Sequence, residues 1–206
     1  MRIPGRSLFL LSIATALALA GCGGPKAKIA RLDRGAVVLA FGDSLTFGTG
    51  AGAQESYPAV LERSTGLRVV NAGVPGETSA EGLERLGGVL EEVRPQLLIL
   101  CHGGNDFLRK MDDAGVASNV RAMIRLAKAK GIPVVLLATP KPGVPPSVPP
   151  LYGEIATGEA IAFEEAAMKD VLLSSSLKSD LVHPNEKGYA RIAAAIEKLL
   201  RKTGAL

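Results

Sequence analysis

Residues 40–50, AFGDSLTFGTG, place a serine in a turn that follows an apolar run. Three roles fit Ser44: a nucleophile, a helix cap, or part of a glycine loop that binds phosphate. A serine nucleophile requires a base that takes its proton, a third group that orients the base, and donors for an oxyanion. The choice therefore depends on whether the rest of the chain supplies those groups.

A base and its orienting carboxylate occur together near the C-terminus. The chain has two histidines, and His183 lies in the segment DLVHPN, three residues after Asp180. Residues i and i+3 of a turn lie on the same side, so Asp180 can hold Nδ1 of His183 and leave Nε2 free. Pro184 and Asn185 start a helical pattern that fixes this turn. The spacing predicts that His183 and Asp180 activate Ser44.

Candidate oxyanion donors follow two other apolar runs. The segment NAGVPGETS places Gly76 in a turn, where its backbone amide can point toward Ser44, and GGND places the side-chain amide of Asn105 directly after the third run. The backbone amide of Ser44 is a third donor. Removing one such donor typically costs about 3 kcal/mol of transition-state stabilisation, so two or three of them favour the nucleophile interpretation.

The other two roles for Ser44 are weaker. The segment 48–53, GTGAGA, matches a dinucleotide-binding pattern, but six residues separate it from the strand end at Phe41 and no acidic residue follows the second strand. Asp43 or Ser44 can cap a helical turn. A capping box would need Glu or Gln three residues later, and neither position provides one.

Short aliphatic runs alternate with helical patterns along the chain. The runs lack polar alternation, which is typical of parallel strands buried on both faces; they are 36–41, 67–72, 96–101 and 133–138, with 159–163 a fifth candidate. Apolar residues at helical spacing predict helices over 83–93, 116–127 and 189–199. This order predicts an open, doubly wound α/β sheet. Ser44, Asn71, Asn105 and the loop after Ala138 should then meet at the carboxyl edge of the strands.

One segment interrupts the pattern. Residues 139–153, TPKPGVPPSVPPLYG, hold six of the thirteen prolines and predict neither a regular helix nor a central strand. The segment is either a stiff loop that shapes a substrate groove or a surface connection.

The four segments GDSL, NAGVPGETS, GGND and DLVHPN, in this order, resemble the SGNH or GDSL hydrolases. The likeness is closest to their small bacterial arylesterases, acyl-CoA thioesterases I and lysophospholipases L1. The resemblance implies a three-layer α/β/α sandwich with a five-stranded parallel sheet (a flavodoxin-like SGNH hydrolase fold), and it implies neither metal nor organic cofactor. By this resemblance, Ser44 matches the family's nucleophile. Gly76 and Asn105 match its oxyanion donors, and His183 with Asp180 matches its base and orienting carboxylate.

The chain departs from that family in two places. The region before DLVHPN is compressed and rich in proline, which affects the expected acyl pocket. His102 lies where an aliphatic residue is expected, with either a structural role or a contact at the rim of the site. Asp43 and Asp106 are expected to brace the catalytic turns.

The N-terminus predicts export and lipid attachment. Arg2 and Arg6 precede the uncharged apolar stretch 8–20, which is too short to span a bilayer but typical of a signal peptide. The following residues LAGC resemble a bacterial lipoprotein box, which predicts cleavage after residue 21 and lipidation of Cys22; an ordinary secretory signal is the alternative. Residues 22–35 are then a lipidated cysteine and tether, and 36–206 the hydrolase domain. Cys101 is expected to be a buried, unreactive thiol.

These features predict a serine hydrolase of small acyl esters or thioesters, anchored to a membrane of the bacterial cell envelope. Without the signal peptide, the 24 basic residues lose two arginines and number 22 against 20 acidic ones, a net charge of about +2. This balance and the scarcity of aromatic residues argue against a nucleic-acid partner. The alternatives are a deacetylase or acyltransferase acting on envelope polysaccharide, and a non-catalytic envelope lipoprotein.

Overall fold

The computed structural model describes residue 1 and residues 27–206. Apart from Met1, the predicted signal peptide (1–21), Cys22 and the first residues of the predicted tether lie outside the described residues. Among the helices of the described part, none has the length and apolar content to cross a membrane.

The aliphatic runs form one parallel sheet. Its strands are β1 (Val37–Gly42), β2 (Arg68–Gly73), β3 (Leu97–Cys101), β4 (Val134–Leu137) and β5 (Ala162–Glu164), in the spatial order β2-β1-β3-β4-β5. All four neighbouring pairs are parallel. Every residue of β3 and β4 is buried, as expected of strands covered on both faces. The predicted five-stranded parallel sheet is therefore confirmed.

Helices connect and cover the strands. They are α1 (Ser44–Phe47), α2 (Tyr57–Thr65), α3 (Ser79–Val93), α4 (Gly104–Leu108), α5 (Asp113–Ala129), α6 (Leu151–Glu159), α7 (Ala167–Leu173) and α8 (Glu186–Thr203), with 3-10 turns at Ala53–Glu55 and Ser175–Leu177. The helical patterns in the sequence correspond to α3, α5 and α8. The periodicity did not predict α2, α6 or α7.

The two faces of the sheet form two separate cores. Val38 and Ala40 of β1 pack with residues of α2, α7 and α8 on one face. Leu39 and Phe41 of the same strand pack with α3, α5 and α6 on the other face. Successive side chains of a strand point to opposite faces, so one aliphatic run supplies both cores. The result is a three-layer α/β/α sandwich, which confirms the predicted fold.

The strand order determines where a site can form. From β1 the chain moves outward to β2, and then returns across β1 to β3 and onward to β5. In such sheets the crevice lies at the carboxyl ends of the strands where the order reverses. Here those strands are β1 and β3, and Ser44 and Asn105 follow them closely.

The structure corrects the expected tether. Ile29 is buried, its amide donates to the Thr203 carbonyl (3.1 Å), and the Leu32 amide donates to the Ala205 carbonyl (2.9 Å). Residues 29–32 are therefore fixed to the end of α8 and do not act as a free linker. The apolar side chain of Ile29 gains a place in the core, which explains why this segment packs.

Three further expectations need adjustment. The fifth strand begins at Ala162, because α6 occupies the chain up to Glu159. That helix begins at Leu151, inside the proline-rich segment, with Pro150 at its N-cap position, where the missing amide costs no intrahelical bond. Asn71 lies within β2, and its side chain holds the Phe47 carbonyl (3.2 Å). It therefore supports the Ser44 turn from outside the site.

Candidate active site

A cavity opens at the carboxyl ends of β1, β3 and β4. Its lining comes from the turns that follow these strands and from the turn before α8, represented by Ser44, Asn105, Thr139 and His183. Four segments that are distant in sequence thus meet at one edge of the sheet.

Ser44, His183 and Asp180 form one hydrogen-bonded chain. The Oγ atom of Ser44 lies 3.0 Å from Nε2 of His183, and Nδ1 of the same ring lies 2.8 Å from Oδ2 of Asp180. With the Nδ1 proton donated to the carboxylate, Nε2 is left as the acceptor that faces the hydroxyl. Ser44 is half-buried and Asp180 is exposed. This arrangement can withdraw a proton from Ser44 Oγ.

The carboxylate also folds the turn that carries the histidine. Oδ1 of Asp180 accepts hydrogen bonds from the amides of Val182 and His183, both at 2.8 Å. Partial desolvation raises the pKa of Asp180, but the hydrogen bonds from the His183 ring and the two amides outweigh it, and the net pKa lies below its ordinary value. The group therefore stays ionised at neutral pH.

Asn185 fixes the other end of this turn. Its side chain accepts from the amides of Lys187 and Gly188 and so caps α8. Its backbone amide donates to the Leu177 carbonyl (3.0 Å). The imidazole is thus carried by a short segment fixed on both sides.

Asp43 caps α1, which leaves Ser44 free. The Asp43 carboxylate accepts from the Leu45 amide (3.0 Å), whereas the Ser44 hydroxyl meets His183. Burial raises the pKa of Asp43, against the opposing effects of His102 and of hydrogen bonds from the Leu45 and Gly104 amides. The same carboxylate lies against Gly104 at the start of α4, where an added Cβ would come within 3.0 Å of Oδ2. Asp43 therefore braces two turns of the site, as predicted from the sequence.

The serine turn and the histidine turn are also joined directly. Tyr189, in the first turns of α8, is fully buried and donates its hydroxyl to the Thr49 carbonyl (2.8 Å). Gly50 has φ +97°, and a Cβ there would overlap the Ser179 hydroxyl and the Pro184 carbonyl. Only glycine permits both this backbone conformation and this approach. These contacts fix the position of the turn that carries Ser44 relative to the turn that carries His183.

The three donors predicted for an oxyanion differ in their placement. Asn105 lines the cavity and donates one N–H of its side chain to the Glu77 carbonyl (2.9 Å), which leaves its second N–H available. Among the described residues, neither the Ser44 amide nor the Gly76 amide has a hydrogen-bond acceptor. Gly76 is exposed with φ +83° and does not line the cavity; it is the residue before Glu77, whose carbonyl holds the Asn105 side chain. The structure therefore places Asn105 in the cavity and leaves Gly76 outside its lining.

Comparisons with known proteins indicate the family. The family model described as "GDSL-like Lipase/Acylhydrolase family" matches residues 40–191, nearly three quarters of the chain. The chain belongs to this family. "Esterase TesA" of Pseudomonas aeruginosa is 33% identical over 161 residues, covering 71% of this chain and 79% of that protein. "Thioesterase 1/protease 1/lysophospholipase L1" of Escherichia coli K12 is 27% identical over 172 residues, covering 80% and 83%.

Solved structures show the same fold. A crystal structure of TesA superimposes with a TM-score of 0.73 at 29% identity, covering 81% of this chain and 99% of that one. AlinE4, described as an SGNH-hydrolase family esterase, gives a TM-score of 0.64 at 30% identity, covering 83% and 97%.

In this GDSL-family chain, the proline-rich segment forms one wall of the cavity. Pro140, Pro142, Gly143 and Pro146 line it, and Leu181 lines it too. Of the two interpretations left open by the sequence, the structure supports the loop that shapes a groove.

Two other expectations concern residues outside the reacting chain. Asp106 accepts from the amide and the hydroxyl of Ser79 (2.9 and 2.6 Å), which ties α4 to the start of α3. Cys101 is buried against Thr139, and burial raises the pKa of its thiol to about 12. The first residue braces a turn of the site, and the second is an unreactive thiol at neutral pH, as predicted.

Sequence reasoning missed part of the site. Glu77 forms a hydrogen-bonded cluster with Arg85 and the buried ring of His102 behind Asn105, and Tyr189 joins the serine turn to the histidine turn. The one signal was His102, a polar residue where an aliphatic one was expected. Within residues 27–206, no group of three or more His, Cys, Asp or Glu side chains has the arrangement of a metal site.

Proposed function

We propose that this chain hydrolyses carboxylic esters or thioesters through a Ser44–His183–Asp180 triad. The observation that carries the proposal is the pair of contacts on the imidazole of His183: Nε2 to Ser44 Oγ at 3.0 Å and Nδ1 to Asp180 at 2.8 Å. A hydroxyl, a base and an orienting carboxylate in this order make serine a nucleophile at neutral pH.

Acylation begins when His183 Nε2 takes the Ser44 proton and Oγ attacks the substrate carbonyl carbon. The negative charge that develops on the carbonyl oxygen is stabilised by the Asn105 side-chain amide and by the backbone amides of Ser44 and Gly76. Asp180 stabilises the imidazolium. The bond to the leaving alcohol or thiol then breaks, and the imidazolium gives the leaving group its proton.

Deacylation repeats these steps with water. His183 takes a proton from water, whose oxygen attacks the acyl carbon, and the second tetrahedral species collapses to the free acid. The proton returns to Ser44 Oγ. Each turnover consumes one water and one ester, and no other reactant is needed.

The relatives and the cavity support a small acyl substrate. The relatives are named esterase, arylesterase and thioesterase/lysophospholipase. Apolar side chains next to the nucleophile, among them Leu45, Leu172 and Leu181, suit an acyl group, and the proline-rich wall limits where its chain can extend.

Hydrolysis of p-nitrophenyl esters from C2 to C16 tests the proposal, with the full-length protein in mild detergent beside its Ser44→Ala variant. We expect turnover by the parent and at least a thousandfold loss in the variant. Equal rates in both would exclude Ser44 as the nucleophile. A profile restricted to acetyl esters would direct the search for the natural substrate to acetylated polymers of the envelope.

We further propose that Cys22 carries a lipid anchor that holds the domain at a membrane of the bacterial cell envelope. Ile29 is fixed to Thr203 at the far end of α8 from His183, and an 18-residue helix is about 27 Å long. Such an anchor would join the domain near the end of α8 that lies farthest from the histidine turn. A Cys22→Ala variant should move to the soluble fraction with its esterase activity unchanged, and retention in the membrane fraction would exclude the anchor.

A further inference from the structure

His102 is completely buried directly before the turn that carries Asn105. Its carbonyl accepts hydrogen bonds from the hydroxyls of Tyr152 (2.6 Å) and Thr139 (3.3 Å), so its backbone is fixed. Its ring lies against Phe41, with 5.5 Å between ring centroids. Nε2 is 3.1 Å from the carboxylate of Glu77.

Glu77 connects this ring to the oxyanion side of the site. Its side chain is 7% exposed and binds the Arg85 guanidinium in a two-pronged contact (2.8 and 2.7 Å) in addition to His102. Its backbone carbonyl accepts the hydrogen bond that orients the Asn105 side chain (2.9 Å). Gly76, a predicted donor, is the residue before it. The contacts of the Glu77 carboxylate therefore fix the backbone segment that contains Gly76 and whose Glu77 carbonyl holds the Asn105 side chain.

The chemistry of the ring indicates a specific task. Nδ1 of His102 is buried and has no hydrogen-bond partner among the described residues. An unsatisfied buried polar group lowers stability, a cost that an aliphatic side chain would avoid. The charged or titratable groups around the ring are Glu77, Arg85 and Asp43. The contact that histidine offers and leucine lacks is the Nε2–H donated to Glu77.

We propose that His102 is a positioning residue for the oxyanion site. Through Nε2–H it holds the Glu77 carboxylate, and the Glu77 backbone in turn holds the Asn105 side chain and the Gly76 amide where the oxyanion forms. The inference rests on the proposed esterase function and assigns a role to a residue outside the triad and its donors. It predicts an effect on transition-state stabilisation and none on substrate binding.

Two variants of His102 and a matched control test this role. In full-length protein, His102→Leu removes the donor at similar volume, whereas His102→Gln keeps an N–H that can reach Glu77. Glu159→Gln is the control, because Glu159 is 8% exposed, binds Arg125 (2.8 Å) and Lys128, and does not line the cavity. It disturbs a buried carboxylate of the same kind away from the site.

The expected readout separates positioning from stability. His102→Leu should lower kcat for p-nitrophenyl acetate about tenfold to a hundredfold with KM within about twofold, the signature of a lost transition-state contact. Affinity for an alkyl trifluoromethyl ketone, whose adduct with Ser44 carries an oxyanion, should fall by the same factor. His102→Gln should keep most of the activity, and Glu159→Gln should alter the melting temperature alone.

Each other outcome has one meaning. No Ser44-dependent hydrolysis by the parent would overturn the proposed function and this inference with it. An active parent with kcat of His102→Leu within about twofold would overturn the inference alone. Equal losses in the leucine and glutamine variants would overturn the role of the Nε2 donor.

Discussion

Replacing Asp180 by asparagine separates two tasks of one carboxylate. Oδ1 accepts the amides of Val182 and His183, and Oδ2 accepts Nδ1–H of the His183 ring, all at 2.8 Å. Asparagine with its oxygen in the Oδ1 position keeps both amide contacts and so keeps the turn. Its NH2 group then faces Nδ1 of His183 and can only donate to it, so Nδ1 must be unprotonated. The ring must therefore carry its proton on Nε2.

The magnitude follows from that change of tautomer. A protonated Nε2 lies 3.0 Å from Ser44 Oγ and can donate to it but cannot accept its proton. Loss of the correct tautomer in such a triad lowers kcat about 10⁴-fold. This corresponds to about 5 kcal/mol of activation free energy. We expect a somewhat smaller loss here, because Asp180 is 54% exposed and water can partly replace it.

The assay is steady-state hydrolysis of p-nitrophenyl acetate with thermal unfolding alongside. Asp180→Asn should lose activity while its stability changes by less than about 1 kcal/mol, since an exposed pair contributes little. Asp112→Asn is the matched control: Asp112 is exposed and caps α5 through the Gly115 amide, a task that asparagine does equally well. If Asp180→Asn kept kcat within about tenfold of the parent, the assigned tautomer and the triad would both be wrong.

Three further predictions concern the residues that support the triad. Gly50→Ala should lower kcat and the melting temperature together, since its Cβ would overlap the histidine turn. Gly35 also has a positive φ (+81°) but faces open space, so Gly35→Ala should lose only about 1–2 kcal/mol of stability. Equal effects of the two substitutions would contradict the close approach at Gly50. Tyr189→Phe should lower the free energy of unfolding in urea by about 1–3 kcal/mol by leaving the Thr49 carbonyl without a donor, and an unchanged value would show that this bond stabilises nothing. For Glu77, burial raises the pKa, but hydrogen bonds from Arg85 and His102 outweigh it and lower the pKa from 4.5 to about 2. The stability advantage of the parent over Glu77→Gln should therefore be constant above about pH 4.5 and be lost as the pH falls toward 2, by at most about 3 kcal/mol; an advantage independent of pH would exclude the ionic contact.

The sheet was predictable because the signal for a buried parallel strand is local. Four of the five runs match observed strands to within one residue at each end, since a continuous aliphatic segment has few alternatives to burial on both faces. Helix α6 was missed for the opposite reason. Its segment contains two glycines and starts after two prolines, and it is stabilised by the packing of Leu151, Tyr152 and Ile155 in the core. Tertiary packing overrode local preference there.

The site was predictable where its chemistry lies within short segments. Asp180 and His183 are on one turn, and Asn105 directly follows a strand, so their roles depend on few other contacts. The Glu77–His102 contact spans 25 residues and the Tyr189–Thr49 contact spans 140. Neither residue pair has a local pattern that predicts it. A polar residue at an expected aliphatic position, as at His102, is the one trace that such a contact leaves in a single sequence.

The glycine-rich segment after Ser44 illustrates how one motif can serve a different physical need. A dinucleotide loop uses glycine so that phosphate can approach the backbone. Here Gly48 ends α1 with φ +102°, and Gly50 lets the backbone approach the turn that carries His183. In a dinucleotide loop and in this turn alike, the missing Cβ makes room for a neighbour. In the dinucleotide loop that neighbour is phosphate, whereas here it is a second segment of the same chain. The two uses differ in the group that a Cβ would overlap. A three-glycine pattern therefore predicts that some group approaches the backbone closely, and only the fold shows which group it is.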